Sequence, residues 1–194
     1  GFMPKLIKPV QPFDARNYKS LYKYKGLRRA WAKQCKIPGL FGGGDARYVN
    51  SLTGAERYKD VAKSEKSGGI PKCRVCLDLS LVNECVAKWG LRYESVDCIM
   101  AAIRRNDFII KIDIDSFYLR LPVHHKLAKL QSFRDPFSGQ LKCYLFLAFG
   151  LSVGCTFSSG VSAEARLIIM KRLEKRSLNT QFHTYIDDFT GRDT

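Results

Sequence analysis

The chain has 194 residues, 45% of them hydrophobic, which suffices for one real core or for one domain with an appended arm. Lys+Arg number 33 against 18 Asp+Glu, and the formal net charge of +15 favours phosphate backbones, or else anionic membrane surfaces, as partners. No run approaches the roughly 18 apolar residues of a membrane-spanning helix and no secretory h-region opens the chain, so no membrane partner is expected.

Residues 1–66 read as a basic N-terminal arm with helices. Asp14 is placed to cap a helix over 15–35, ended by Pro38-Gly39. Along it Lys23, Lys25, Arg28, Arg29 and Lys33 are interleaved with Tyr18, Tyr22, Tyr24 and Trp31. That mix pairs phosphates and stacks on bases, although a solvated basic helix face has the same composition. Gly42-Gly43-Gly44 lacks the Gly-Lys-Ser/Thr ending of a phosphate-cradling loop and reads as a flexible connector. Thr53 with Glu56 makes a capping box for a helix through about Lys63.

Residues 67–194 form the second expected unit. Gly68-Gly69 releases the chain into a strand that carries Arg74. Cys73 and Cys76 have the gap of a zinc knuckle, but residues three apart on a strand face opposite sides and no second pair follows at ribbon spacing. The seven cysteines, an odd and scattered set, suit free thiols in a reducing intracellular compartment. Ser95 opens a helix to about Arg105, with Val96, Ile99, Met100 and Ile103 on one side.

From Phe108 the chain turns apolar, and Ile110, Ile112 and Ile114 then alternate with Lys111, Asp113 and Asp115. Period two predicts a half-buried strand with both aspartates on one face. A helical turn near 116–121 follows, then a surface pair His124-His125. Asp135-Pro136-Phe137-Ser138-Gly139 is a hairpin turn with a return strand over 142–146. Ser158 to Lys175 is a strong helix with Val161, Ala165, Ile168, Ile169 and Leu173 as its buried stripe. Phe182 to Ile186 reads as a strand and Phe189 begins another, leaving Asp187-Asp188 at a hairpin tip. The order predicts an α/β (α+β) fold, a split antiparallel sheet backed by helices.

Adjacent carboxylates are ordinary turn chemistry, and they also repel one another. A divalent cation with oxygen ligands removes that repulsion. Asp113 together with Asp187 and Asp188 is the set a two-metal phosphoryl-transfer site uses.

Four elements carry a resemblance. Asp113 precedes Tyr118 by five residues, with Pro122 beyond; Leu147-Ala148-Phe149-Gly150-Leu151-Ser152 precedes the long helix; Tyr185-Ile186-Asp187-Asp188 is a Tyr-x-Asp-Asp box. Upstream, Lys72 to Asn83 contains Arg74, Asp78 and Asn83 in the order of a fingers motif. In this order, over roughly residues 70–190, the chain resembles the reverse transcriptases of retroelements and retroviruses. The resemblance implies a right-hand palm with partial fingers and no thumb. It implies Asp113 and Asp187 as principal ligands of two Mg²⁺ ions, with Asp188 as supporting acid. Arg74, and less directly Lys72, would hold the triphosphate of the incoming nucleotide. Tyr118 would lie under the sugar, and Phe149 and Gly150 against nucleotide or template.

Three positions depart from the family pattern: Phe117 stands in place of a small residue, Ala148 in place of a proline before Phe149, and Cys155 in place of another proline. The sequence also stops six residues after Asp188, so the thumb is expected on a further segment or chain. Two functions are therefore carried forward. One is the fingers and palm of an RNA-directed DNA polymerase acting on an RNA template. The other is a catalytically idle, reverse-transcriptase-derived subunit that binds structural RNA in a ribonucleoprotein without a cofactor. In both, further protein chains are expected to complete or cover the domain.

Overall fold

The computed structural model describes residues 1–56, 58–90, 97, 100–101, 103–176, 181–185 and 188–193, with 58–59, 181–182, 185 and 188–193 described through their backbone alone. In chain order the elements begin β1 (Phe13–Asp14), a 3₁₀ segment (Lys19–Lys23), α1 (Leu27–Cys35), β2 (Phe41–Gly43), β3 (Tyr48–Asn50) and β4 (Leu52–Glu56). They continue with α2 (Tyr58–Ser67), β5 (Cys73–Leu77), α3 (Ser80–Asn83), β6 (Phe108–Asp113) and a second 3₁₀ segment (Phe117–Arg120). Last come α4 (His125–Leu130), β7 (Ser132–Arg134), β8 (Leu141–Tyr144), α5 (Gly154–Glu174), β9 (Gln181–Tyr185) and β10 (Asp188–Asp193). The chain divides into two compact units, Gly1–Ala87 with Tyr118–Ser152, and Lys88–Phe117 with Val153–Thr194.

The first unit is built on a mixed sheet in the order β1-β3-β7-β8-β2, beside a two-stranded sheet of β4 and β5. α1 turns Leu27, Trp31 and Gln34 inward at helical spacing. Trp31 stacks on Phe41 at 5.3 Å and meets Phe133 edge-on at 5.7 Å, and Tyr144 lies 5.0 Å from both Phe41 and Phe133. Such ring pairs contribute about 0.5–1.5 kcal/mol each beyond the area they bury. The Tyr144 hydroxyl donates to Gln34 Oε1 at 2.8 Å, and burial pushes its pKa up. Gln131, fully buried, donates Nε2 to the carbonyls of Tyr144 and Phe146 at 3.1 and 3.0 Å.

Four expectations are corrected here. Asp14 does not cap a helix; β1 pairs with β3, and the Ala15 and Tyr18 amides bond the carbonyls of Val49 and Leu52, so the segment follows the sheets and α1 starts only at Leu27. Gly42 and Gly43 are not a connector but part of β2, paired with β8. A Cβ on Gly42 would sit 2.9 Å from Leu145 Cδ2, and one on Gly44 2.6 Å from the Lys142 carbonyl oxygen, so glycine permits this approach. Thr53 and Glu56 lie in β4, opposite Cys76 and Cys73 of β5, because a full ladder satisfies more backbone groups than a cap; α2 begins at Tyr58. Trp31, expected among the base-stacking aromatics, is 5% exposed and belongs to the core.

The second unit holds an antiparallel sheet in the order β6-β10-β9, with α5 packed on β9. α5 starts four residues before the expected Ser158, at Gly154. Gly154, Ser158 and Ser162 are its buried residues, Val161, Ala165, Ile169 and Leu173 are half-buried, and Ile168 is exposed, so small residues make the close face. Every residue of β6 is exposed, Phe108 by 77%, against the expected half-buried strand. Asp97, Met100 and Ala101 are helical, Met100 is exposed rather than turned inward, and the remainder of the helix expected from Ser95 falls mostly outside the described residues.

Six of the cysteines are described, and all six are free thiols. His124 caps α4, its Nδ1 accepting from the Lys126 amide at 3.3 Å. Among the described residues no helix is long and apolar enough to cross a membrane.

Candidate active site

The alternation from Ile109 to Asp113 makes a strand whose last residue is an aspartate, and the run from Gln181 makes the strand that ends at Tyr185. β10 lies between them. Its first residue, Asp188, stands directly opposite Asp113 on one side and opposite Tyr185 on the other. Directly opposed residues of an antiparallel ladder have Cα atoms about 4.5–5.5 Å apart. The Tyr-x-Asp-Asp box and the Asp113 strand thus meet at one rung. Asp187, with Ile186, lies outside the described residues.

Asp113 is exposed. Asp115, expected on the same strand face, is not in β6: the ladder ends at Asp113, and the backbone turns through Ser116 at φ 58°. Aspartates on facing rungs are hard oxygen donors of the kind Mg²⁺ prefers, so the residue types fit that ion. Among the described residues, which exclude Asp187, no three His, Cys, Asp or Glu side chains gather as a metal site.

The first unit holds the residues the resemblance assigned to the nucleotide. Arg74 lies within β5 opposite Ala55, and both it and Lys72 are exposed. Tyr118 and Phe149 stack with ring centroids 5.0 Å apart and planes 30° off parallel. Gly150 follows at φ 121°, and a Cβ there would lie 2.0 Å from the Leu77 carbonyl oxygen. No side chain fits. The close approach is held by the Leu77 amide, which donates to the Phe149 carbonyl at 3.0 Å.

Two residues of the fingers motif gain roles that spacing did not reveal. Asn83 donates Nδ2 to the Gly150 carbonyl at 2.9 Å and accepts from the Ser152 amide at 2.8 Å through Oδ1. Asp78 accepts from Ser80 Oγ and from the Tyr18 hydroxyl, each at 2.5 Å, and these bonds hold its carboxyl below the usual range. The motif Arg74…Asp78…Asn83 was the signal; the backbone partners of Asn83 were not legible.

The departures also find their places. The Ala148 amide donates to Gln131 Oε1 at 3.0 Å, a bond that a proline could not make. Cys155 lies in the first turn of α5. Phe117 opens its 3₁₀ segment and is 6% exposed.

Of the basic set, Arg28, Arg29 and Lys33 occupy the exposed side of α1, with Lys23 and Lys25 exposed just before it. Arg28 is partly engaged, its guanidinium carbon 4.9 Å from the centre of the Phe137 ring. Tyr22 and Tyr18 remain exposed by 53% and 46% beside these cations.

No protein-family model matches the sequence, and neither does any curated protein. Among solved structures the chain is similar to a foamy viral protease-reverse transcriptase solved in complex with double-stranded DNA. The TM-score is 0.66 at 17% identity, and the match covers 95% of this chain. The chain spans 29% of the length of that protein. The fold is reverse-transcriptase-like, a mixed α/β arrangement of palm type.

Proposed function

We propose that this chain belongs to the reverse transcriptases and forms the fingers and palm of an RNA-directed DNA polymerase. The observation that carries this reading is the rung on which Asp188 faces Asp113. Directly opposed like charges destabilise a ladder, so a protein that places two aspartates there gains from a cation. In this reading Asp113 and Asp187 hold two Mg²⁺ ions, with Asp188 as supporting acid. Bound Mg²⁺ supplies the Lewis-acid chemistry that activates a primer hydroxyl and neutralises charge on the leaving pyrophosphate.

The other residues bind and orient. Arg74 pairs with phosphate oxygens through its planar fork, assisted by Lys72. Tyr118 supports the sugar and excludes a 2′-hydroxyl, while Phe149 and Gly150 lie against the base or template. Lys23, Lys25, Arg28, Arg29 and Lys33 track the RNA backbone. Further chains or segments cover the exposed β6 and supply the thumb, in a reducing intracellular compartment.

A second reading is favoured by Phe117, a large buried side chain where a small one is expected beside the sugar. Here the chain is a structural, RNA-binding subunit of a ribonucleoprotein, without catalysis or Mg²⁺. Primer extension on an RNA template with Mg²⁺ and deoxynucleoside triphosphates separates the two. The polymerase reading expects extension by the wild type and none by Asp187→Ala. Absence of extension with salt-sensitive RNA binding intact supports the structural role.

A further inference from the structure

Asn83 reaches the Phe149–Ser152 turn from α3 with both ends of its amide. One end donates to the Gly150 carbonyl at 2.9 Å, and the other accepts from the Ser152 amide at 2.8 Å. A side-chain amide is the one group of this size that offers a donor and an acceptor side by side; an aspartate keeps only the acceptor and an alanine neither. The turn needs such a clip. Gly150 has φ 121°, a conformation available almost only to glycine, and glycine leaves the turn with the most freedom to lose. Beyond Asn83, the bond from the Leu77 amide to the Phe149 carbonyl ties this turn to β5, the strand of Arg74. The same turn carries Phe149, whose ring stacks on Tyr118 at 5.0 Å.

We infer that Asn83 is a positioning residue: by gripping Gly150 and Ser152 it sets the turn that holds the Phe149 ring on Tyr118, and so sets affinity for a nucleoside triphosphate without touching it. The inference rests on the proposed reading of Tyr118 and on the nucleotide, not the template, as what Phe149 meets. Asn83 itself is half-buried. The anchor therefore sits on a packed helix end, beside fully buried Val82.

The test compares the full-length wild-type chain with Asn83→Ala and Asn83→Asp. Three quantities are measured: amide hydrogen exchange at Ser152, binding of a fluorescent deoxyadenosine triphosphate with Mg²⁺, and binding of a single-stranded RNA oligonucleotide. Asn83→Ala is expected to lose Ser152 protection and about tenfold in nucleotide affinity, the scale of one to two lost hydrogen bonds, with RNA affinity unchanged. Asn83→Asp is expected to keep Ser152 protection and to show a smaller nucleotide loss. A merely structural role would lower nucleotide and RNA binding together. Unchanged Ser152 exchange in Asn83→Ala, or lost protection with unchanged nucleotide affinity, overturns the inference. If the wild type binds no nucleotide while Asn83→Ala loses Ser152 protection, the clip stands and the nucleotide reading of Tyr118 and Phe149 falls.

Discussion

Asp188 faces Asp113 across the β6–β10 ladder, at the rung where the ladder begins for one strand and ends for the other. Asp113 is exposed, and beyond it the ladder stops and the backbone turns through Ser116. Facing like charges cost the sheet a fraction of a kcal/mol to about 1 kcal/mol when no cation is present.

That cost gives the first prediction, a reversal of sign. With metal chelated away, Asp113→Asn removes the repulsion and raises stability by up to about 1 kcal/mol. With Mg²⁺ in excess the wild type gains binding energy that the variant lacks, and the order inverts. Thermal melts with EDTA and with Mg²⁺ check both halves.

Gly150 is irreplaceable on geometric grounds. Alanine at φ 121° is strained, and its Cβ would collide with the Leu77 carbonyl at 2.0 Å. Gly150→Ala is expected to cost about 1–3 kcal/mol and to break the bond from the Leu77 amide to the Phe149 carbonyl. Denaturant unfolding measures the loss, and hydrogen exchange at Leu77 locates it.

Asp135 sets the acid limb of stability. Burial pushes its carboxyl up, but the Lys142 ammonium at 2.7 Å and the amides of Ser138 and Phe137 at 3.0 and 2.9 Å outweigh it, and the pKa falls from 3.8 to about 2. A depressed folded pKa stabilises above the unfolded value and loses that contribution as pH falls from 3.8 toward 2. The side chain is 5% exposed, so screening is slight and the contribution is about 2 kcal/mol. Asp135→Asn is expected to be less stable at pH 7 and to show a flatter loss between pH 4 and pH 2, read from denaturant midpoints across that range.

The basic side of α1 predicts a salt dependence. Arg28→Ala and Arg29→Ala should each weaken single-stranded RNA binding uniformly across sequences. Each should reduce the slope of log affinity against log salt by about 0.7 for every phosphate that is no longer neutralised. Arg28→Ala carries a second effect, because its guanidinium also lies over Phe137. A titration of affinity between low and moderate salt reads both.

The Asp113 strand, the Asp135 turn and the helix ending at Glu174 were legible as elements because each declares itself locally, by period two, by turn chemistry or by helical spacing. Their burial was not: every residue of β6 is exposed, and small residues, not Ile168, make the close face of α5. The strands at Phe41–Gly43 and Leu52–Glu56 were not legible. Their ladder partners, β8 and β5, are remote in sequence, and glycine runs and Thr-x-x-Glu signals point elsewhere when read alone. At the site the residue types were legible and their partners were not. Ala148 reads as a missing proline until its amide is seen bonded to buried Gln131. Asn83 reads as one letter of a motif until both ends of its amide are found on the backbone of one turn.

The most direct test of the shared carboxylate rung is a titration with Mn²⁺ as the probe ion, following the free-ion paramagnetic resonance signal. The wild type is expected to bind, and Asp113→Asn, near-identical in shape, to bind at least about tenfold more weakly while melting as a folded protein. Equal affinity in the two proteins would contradict the account, because the ion would then owe nothing to Asp113.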